Sequence, residues 1–241
     1  MKLLLVGHGR MGKMLEELIT LAHDLDLAGF IDSATIRSLG ETERIADAVI
    51  DFSAPSALPW LLEYITRTGT ALISGTTGYS QDEFNAIRSL GFAAPVLYSA
   101  NYSIGIAVMK RIAAQMAEAL PGFDIEIVET HHNRKADAPS GTAKLLAEAV
   151  DPHHALHTVH GRQGLCGPRQ KNELGIHSIR GGSVAGEHTV NFFGEDEVLS
   201  IAHSAASRRV FASGALRAAR VITTLPAGFY TLEELLFRKE P

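Results

Sequence analysis

Residues 2–12 have the sequence KLLLVGHGRMG, in which a short apolar run leads directly into three glycines. An apolar run of this length is typical of a strand buried on both faces of a parallel sheet. From Lys13 to Leu21, apolar side chains recur at helical spacing. A Gly-x-Gly-x-x-Gly pattern between a strand and a helix is the context of a dinucleotide-binding turn. We therefore expect a nucleotide cofactor at Gly7, His8, Gly9, Arg10, Met11 and Gly12. The competing interpretation is a glycine-rich turn that binds no dinucleotide.

A second apolar run, Leu25 to Ile31, ends at Asp32. Asp32 follows Gly12 at the interval of ~20 residues at which an acidic side chain accepts hydrogen bonds from the adenosine ribose. Its negative charge favours NADH, because it would repel the 2′-phosphate of NADPH. Ser33 and Arg37 follow closely and could hold that phosphate, so the sequence predicts NADH and/or NADPH as cofactor.

Short apolar segments alternate with helical patterns up to residue 102. Strands are predicted at 48–53, 71–73 and 95–98, and helices at 54–68 and 80–90. This alternation predicts a parallel sheet with right-handed crossovers, and ligands then lie beyond the carboxyl ends of the strands. Each loop there could be an ordinary turn, but their shared position makes them candidates for cofactor binding: Gly75, Thr76, Thr77, Ser99, Ala100, Asn101 and Tyr102.

Residues 126–146 have the sequence EIVETHHNRKADAPSGTAKLL. The first part alternates like a strand, and the last part is helical with Ser140 as its expected N-cap. Between them lie His131, His132, Arg134 and Lys135. The N–H groups that begin a helix and the positive end of its dipole suit a carboxylate or phosphate. The sequence therefore predicts a cationic anion-binding site around this loop.

From residue 123 onward the pattern changes. Strands predicted at 124–130, 174–180, 184–193 and 197–203 are not separated by regular helices, which indicates a mixed or antiparallel sheet. We predict an α/β protein with two domains. Residues 1–102, joined by the returning segment 214–241, form a Rossmann-type parallel-sheet nucleotide-binding domain. Residues 103–213 form a smaller α+β substrate-binding and oligomerisation domain with a mixed sheet.

The bulk composition excludes several functional classes. The chain has 241 residues, a formal net charge of −5 and a single cysteine, Cys166. A negative chain has no electrostatic footprint for nucleic acid or an anionic membrane, and one cysteine allows no internal disulfide. No signal peptide or membrane span is predicted, so we expect a cytoplasmic protein. We also predict no metal site. A run of histidines has helical ligand spacing but lacks a companion cysteine or carboxylate: His153, His154, His157 and His160.

The segment Glu129–Ala143 strongly resembles the signature of the 4-hydroxy-tetrahydrodipicolinate reductases, also called dihydrodipicolinate reductases, of lysine and diaminopimelate biosynthesis. The similarity continues in order along nearly the whole chain, at residues 7–12, 50–53, 75–78, 99–103, 175–182, 186–190 and 203–212. The middle signature is highly specific, because no simple structural requirement demands HHxxK followed by SGT.

The resemblance implies NAD(P)H-dependent reduction of 4-hydroxy-2,3,4,5-tetrahydrodipicolinate to 2,3,4,5-tetrahydrodipicolinate, a small dicarboxylate, by a homotetramer joined through sheets of the second domain. It implies that His131 donates or accepts a proton and that Lys135 donates one. The implied substrate-binding residues are His132, Ser140, Gly141 and Thr142. The implied cofactor-binding segments are those already named at residues 7–12, 32, 75–77 and 99–102.

Two other functions remain possible on the residues alone. Another two-domain reductase, acting on a small imino acid, would share the nucleotide-binding half but would not need the HHxxK and SGT residues. A non-catalytic NAD sensor would bind the cofactor without turnover.

Overall fold

The computed structural model describes residues 1–237 and contains two β-sheets. The chain divides into two compact units. The first unit comprises residues 1–103 together with the chain from Arg209 onward, and the second comprises residues 104–208. Each unit is built around one of the sheets.

The first unit contains a six-stranded sheet in which every neighbouring pair of strands is parallel. Its strands are β1 (Lys2–Val6), β2 (Asp26–Ile31), β3 (Ala48–Asp51), β4 (Ala71–Ser74), β5 (Pro95–Tyr98) and β11 (Gly228–Tyr230). They lie in the order β11-β5-β4-β3-β1-β2. The order changes direction next to β1, which is where doubly wound sheets bind ligands. The predicted Rossmann-type sheet is confirmed.

Within residues 1–237, five α-helices belong to this unit: α1 (Arg10–Leu21), α2 (Leu58–Thr68), α3 (Gln81–Ser89), α6 (Arg209–Ile222) and α7 (Leu232–Phe237). The short crossover after β2 contains only a 3₁₀ turn, Ile36–Gly40. The helix predicted from Ala54 begins as a 3₁₀ turn and becomes α-helical at Leu58. Buried apolar side chains of β1, β3, β4 and β5 pack against Leu61 and Ile65 of α2, which holds one helical layer on the sheet.

The second unit contains a five-stranded mixed sheet and two helices. Its elements are α4 (Ile104–Ala119), β6 (Asp124–His131), α5 (Gly141–Val150), β7 (His157–Val159), β8 (Glu173–Arg180), β9 (Gly186–Phe193) and β10 (Val198–Ala205). The order is β10-β9-β6-β8-β7, with β6 parallel to β8 and antiparallel to β9. The predicted mixed sheet is confirmed.

The two short strands β7 and β11 are absent from the sequence prediction. β7 pairs with β8 at the edge of the second sheet, so the helical spacing assumed for the four histidines at 153–160 is wrong. These histidines are exposed. A three-residue strand carries too little periodicity to be recognised, and its conformation comes from pairing with a distant strand. Within residues 1–237, no group of three or more His, Cys, Asp or Glu side chains is placed to hold a metal ion.

The alternation of β6 positions the second unit's site. Ile125 and Ile127 are buried against Met109 and Ala113 of α4 and against side chains of α5. The same inward-facing row continues with two polar residues, Glu129 and His131. A strand that buries its apolar start therefore brings a carboxylate and an imidazole into the interior at its carboxyl end. In the described part of the chain, no helix is both long and apolar enough to cross a bilayer.

Candidate active site

The glycine turn after β1 is shaped by contacts that leave no room for side chains. Gly7 has φ of 92°, and a Cβ on it would lie 2.4 Å from the carbonyl oxygen of Phe52. A Cβ on Gly12 would lie 2.1 Å from the carbonyl oxygen of Gly7. Gly9, the N-cap of α1, is exposed and has open space around it. A ligand can therefore approach the backbone closely at the positive end of α1.

A cleft of about 660 Å³ lies beside this turn. This volume is in the range of ligand pockets. It lies at the carboxyl ends of β1, β2 and β3, and its lining includes Gly7, His8, Gly9, Asp32, Ser33, Arg37, Phe52 and Ser53. Apolar walls come from Ile31, Ile36 and Trp60. A glycine cradle, an acidic side chain and apolar walls around one cleft fit the adenosine half of a dinucleotide.

Asp32 is held rigidly at this cleft. Its Oδ1 accepts hydrogen bonds from the Thr35 hydroxyl at 3.0 Å, the Thr35 N–H at 3.0 Å and the Ala34 N–H at 2.9 Å. The Thr35 hydroxyl, followed by these backbone N–H groups, lowers the pKa of Asp32. The carboxylate is therefore ionised and oriented before any ligand arrives, with Ser33 and Arg37 lining the same cleft.

We expect Asp32→Ala to weaken NADH binding about tenfold, in line with the ~1.5 kcal/mol or more of a hydrogen bond to a charged group. NADPH binding should weaken less or improve, because the repulsion of the 2′-phosphate disappears. Titration of both cofactors by nucleotide fluorescence measures the ratio. Arg37→Ala is the matched variant and should weaken NADPH alone. An unchanged ratio of the two affinities in Asp32→Ala would contradict the assignment.

The loops after β3 and β4 are joined by a buried carboxylate that the sequence reasoning missed. Asp51 accepts hydrogen bonds from the hydroxyls of Ser53 at 2.5 Å and Ser74 at 2.8 Å. The N–H of Ser53 donates to the Thr76 hydroxyl at 2.8 Å. Burial raises the pKa of Asp51. An acidic residue that ends an otherwise apolar strand was the available signal.

The residues predicted to bind the cofactor in the loops after β4 and β5 differ in what their side chains contact. A Cβ on Gly75 would lie 2.2 Å from the Phe52 ring, so this loop also requires glycine. Tyr102 is 1% exposed and donates its hydroxyl to the Ser74 carbonyl at 2.8 Å. Its side chain and the buried Thr76 therefore support the loops from inside. Thr77 and Ala100 are exposed, Ser99 and Asn101 are half-buried, and none of the four lines the cleft at Asp32.

In the second unit, the carboxylate of Glu129 is the centre of a hydrogen-bond network. It is fully buried and accepts from His131 Nδ1 at 2.6 Å, from the two terminal nitrogens of Arg180 at 2.7 and 2.8 Å, and from the Ser140 N–H at 3.1 Å. Burial alone would raise the pKa of Glu129, but the hydrogen bonds from Arg180, Ser178, His131 and Ser140 lower it to about 2. Glu129 is therefore a buried carboxylate anion whose charge is balanced by Arg180 and by hydrogen bonds.

His131 lies between this carboxylate and two other groups. Its Nε2 faces Gly186, where an added Cβ would come within 3.0 Å of it. Its ring meets the ring of His188 edge to face at 5.2 Å. Burial, followed by the electrostatic effect of the neighbouring His131 ring, lowers the pKa of His188 to about 4. His188 is therefore neutral near pH 7.

Ser140 caps α5 as predicted. Its hydroxyl oxygen accepts from the Ala143 N–H at 3.1 Å and lies 3.1 Å from His188 Nε2. Ser140 is 2% exposed, and its hydroxyl group is already engaged in these contacts inside the protein. Gly141 and Thr142 form the first turn of α5, where backbone N–H groups lie at the positive end of the helix.

The loop after β6 carries the predicted cations. Lys135 Nζ donates to Asp137 Oδ1 at 2.7 Å. Burial, followed by the positive charges of Arg208, Arg134, His131 and Lys135, lowers the pKa of His132, which is therefore neutral near pH 7. The predicted cations Arg134 and Lys135 therefore form one positively charged region with Arg208.

Five residues of this site were given no role from the sequence: Glu129, Asp137, Arg180, His188 and Arg208. Arg180 and His188 come from β8 and β9, and strand register puts them opposite His131 and Glu129 respectively. The available local signal was Glu129, a charged residue two positions before His131 in a strand whose inward positions are otherwise apolar.

Known proteins match this chain over nearly its whole length. A family model described as the N-terminus of dihydrodipicolinate reductase matches residues 1–102, and one described as its C-terminus matches residues 105–236. A 4-hydroxy-tetrahydrodipicolinate reductase of Brachyspira hyodysenteriae is 41% identical over 238 residues, which is 98% of this chain and 100% of the relative. One of Exiguobacterium sibiricum is 41% identical over 246 residues, covering 100% of this chain and 98% of the relative.

Solved structures agree on the fold. Dipicolinate-bound dihydrodipicolinate reductase from Paenisporosarcina sp. TG-14 matches with a TM-score of 0.80 at 21% identity, covering 97% of this chain and 98% of that one. An engineered D-amino acid dehydrogenase bound to NADP⁺ matches with a TM-score of 0.57 at 14% identity, covering 100% of this chain and 97% of that one.

Proposed function

The chain belongs to the dihydrodipicolinate reductase family, and from this premise we infer that it reduces 4-hydroxy-2,3,4,5-tetrahydrodipicolinate to 2,3,4,5-tetrahydrodipicolinate with NADH or NADPH. The reaction belongs to the biosynthesis of diaminopimelate and lysine. The full-length similarity to relatives named 4-hydroxy-tetrahydrodipicolinate reductase is the observation that carries the inference. A cytoplasmic location is part of the proposal.

The residues of the first unit fit a nicotinamide dinucleotide, which supplies the hydride when it is bound. In our proposal, the Gly7–Gly12 turn and the start of α1 hold the pyrophosphate, and Asp32 accepts hydrogen bonds from the ribose. The loops Gly75–Thr77 and Ser99–Tyr102 complete the binding site. The open backbone at Gly9 and the oriented carboxylate of Asp32 support these roles.

The residues of the second unit suit a small dicarboxylate. The substrate carries two negative charges, and the Paenisporosarcina relative was solved with dipicolinate, which is also a dicarboxylate. Lys135, Arg134 and the N–H groups at Gly141 and Thr142 can neutralise these charges. His132 contributes a neutral imidazole, since its pKa is lowered. The ion pair of Lys135 with Asp137 indicates that an incoming carboxylate competes with Asp137 for the ammonium group.

Reduction of the substrate ring also needs a proton. The product lacks the 4-hydroxyl group, so the overall change consumes the substrate, NAD(P)H and one proton and yields the product, NAD(P)⁺ and water. Hydride addition places an electron pair on the ring, and a positioned acid must supply the proton that neutralises it. We assign that donation to Lys135, and we assign to His131 the transfer of a proton through its Nε2. The Nδ1 of His131 is occupied by Glu129, so Nε2 is the nitrogen available for chemistry.

The test is to follow NADH absorbance with freshly generated product of the synthase reaction that makes this substrate. The proposed function predicts substrate-dependent NADH oxidation. A non-catalytic NAD sensor predicts NADH binding without oxidation. An imino-acid reductase predicts turnover of small imino acids but not of the synthase product. Either of these last two results would overturn the proposal.

We further propose that the protein is a homotetramer joined through the second sheet. Helices α4 and α5 pack on one face of this sheet. On the other face, Ile179, Phe193 and Val198 are 51%, 39% and 56% exposed. Phe193 and Val198 are paired across β9 and β10, so these two exposed apolar side chains lie side by side. Packing copies of this face against one another in the tetramer would remove them from water.

We expect the wild-type protein to have about four times the 25.9 kDa mass of one chain in light scattering coupled to gel filtration. Phe193→Asp should shift the mass to a smaller species, because it places a charge in the proposed interface. Phe92→Asp is the matched control, since Phe92 is 93% exposed in the first unit, and should leave the mass unchanged. A wild-type monomer, or a tetramer unaffected by Phe193→Asp, would contradict this assignment.

A further inference from the structure

We propose that Glu129, held by Arg180, is a positioning residue that fixes which ring nitrogen of His131 carries the proton and which one faces the substrate. This inference rests on the proposed function, in which His131 transfers a proton. It assigns a role to Glu129, which contacts His131, and to Arg180, which contacts Glu129, although neither is the proposed acid or base.

The first argument is that the carboxylate of Glu129 cannot change its orientation. Its Oε1 accepts from Arg180 at 2.7 Å and from the Ser140 N–H at 3.1 Å. Its Oε2 accepts from Arg180 at 2.8 Å and from His131 Nδ1 at 2.6 Å. Moving the carboxylate away from this position would break these bonds inside the protein, where each is costly to lose.

The second argument concerns the proton. An ionised carboxylate can only accept hydrogen bonds, so Nδ1 of His131 must carry a hydrogen. The lone pair of a neutral His131 then belongs to Nε2, which lies so close to Gly186 that a Cβ there would come within 3.0 Å of it. A carboxylate that orients an imidazole in this way is a recurrent device for acid–base catalysis.

The third argument is that the same network reaches the second proposed proton carrier. Arg180 also donates to the Asp137 carbonyl at 2.7 Å, and the Asp137 side chain accepts from Lys135 at 2.7 Å. The Glu129–Arg180 pair is therefore connected to the loop that carries Lys135. A purely structural ion pair would not need contacts with both groups.

The experiment compares Glu129→Gln with Glu126→Gln. Glutamine at 129 keeps the side-chain length but can present an N–H to Nδ1, which favours the hydrogen on Nε2 instead. Glu126 is the matched control, because it lies on the same strand and is bound by Arg162, Arg169 and His177 on the opposite face of the sheet. Burial would raise the pKa of Glu126, yet these partners lower it to about 2, as for Glu129.

Two readouts are needed, turnover and the ¹⁵N chemical shifts of the His131 ring, assigned by comparison with His131→Asn. We expect Glu129→Gln to lower kcat about 10²–10⁴-fold with little change in KM, the range for loss of one acid–base group. We also expect the ring hydrogen to move from Nδ1 to Nε2. Glu126→Gln should preserve both values. Wild-type kcat in Glu129→Gln, or a loss of kcat with an unchanged tautomer, would overturn the inference.

A second variant covers the case in which Glu129→Gln does not fold. Glu129→Asp retains the charge and the acceptor but withdraws it by one methylene, so we expect an unchanged tautomer and a smaller loss of kcat. A wild-type kcat in this variant would overturn the inference. If the wild-type protein does not reduce the substrate, the proposed function fails, and the ring spectra of wild type and Glu129→Gln still decide whether Glu129 sets the tautomer.

Discussion

Lys135→Ala and His131→Ala are each expected to lower kcat about 10²–10⁴-fold, the contribution typical of a positioned acid or base. Lys135→Ala should also raise KM, because the role we propose for the ammonium group includes neutralising a substrate carboxylate before it donates a proton. His131→Ala should affect kcat more than KM, since its Nδ1 is committed to Glu129 and only Nε2 is available to act.

NADH affinity should remain close to wild type in both variants. The residues that line the nucleotide cleft belong to the Gly7–Gly9 turn and the segments that follow β2 and β3, and none belongs to the loop after β6. Stopped-flow or steady-state NADH oxidation measures kcat and KM, and nucleotide fluorescence measures the cofactor affinity. Loss of NADH binding together with turnover would indicate a folding defect and not a loss of chemistry.

The matched control is Asn133→Ala. Asn133 is exposed in the same loop, and its backbone N–H donates to the Gly182 carbonyl, a bond that survives the substitution. This variant should run at close to the wild-type rate. If Lys135→Ala or His131→Ala also ran near that rate, the role assigned to that residue would be wrong.

Gly12→Ala is expected to lower both the thermal stability and the NADH affinity, the latter by more than tenfold. The new Cβ would lie 2.1 Å from the Gly7 carbonyl oxygen, a backbone atom that cannot move without opening the turn. Overpacking of this kind costs about 1–3 kcal/mol. Because Gly7 also touches the Phe52 carbonyl, the displacement would spread to the loop after β3.

Gly9→Ala separates the two effects. Gly9 has φ of −79° and open space around its Cα, so alanine should lower the melting temperature much less than at Gly12, by no more than the modest cost of alanine at a helix N-cap. NADH affinity should still fall, because the methyl group would stand where the pyrophosphate approaches the backbone. Thermal denaturation and nucleotide fluorescence on both variants test this. Equal melting temperatures for Gly12→Ala and wild type would contradict the packing argument, and unchanged NADH affinity in Gly9→Ala would contradict the binding argument.

The local sequence was enough to predict the fold class, the family and most of the regular elements. The strands β1, β3, β4 and β5 carry short apolar runs because both faces of the parallel sheet are covered there. Helix α5 could be predicted from its cap, since Ser140 does accept from the Ala143 N–H. The glycine turn was recognisable because Gly7 and Gly12 satisfy steric demands that only glycine can meet. In each case the residue pattern that indicates the structure is local, even where its cause is distant in the chain, as for the Phe52 carbonyl beside Gly7.

The tertiary structure alone decided what surrounds those residues. Arg180 and His188 reach His131 and Glu129 through the register of β8 and β9 on β6, and no local pattern encodes a pairing between strands about fifty residues apart. The strand β7 likewise exists because β8 offers it hydrogen bonds. The sequence therefore determined which chemical groups the protein possesses. Long-range strand pairing decided that Glu129, the carboxylate beside His131, would be buried and its charge balanced by Arg180. Burial and charge balance depend on neighbours that are distant in the chain.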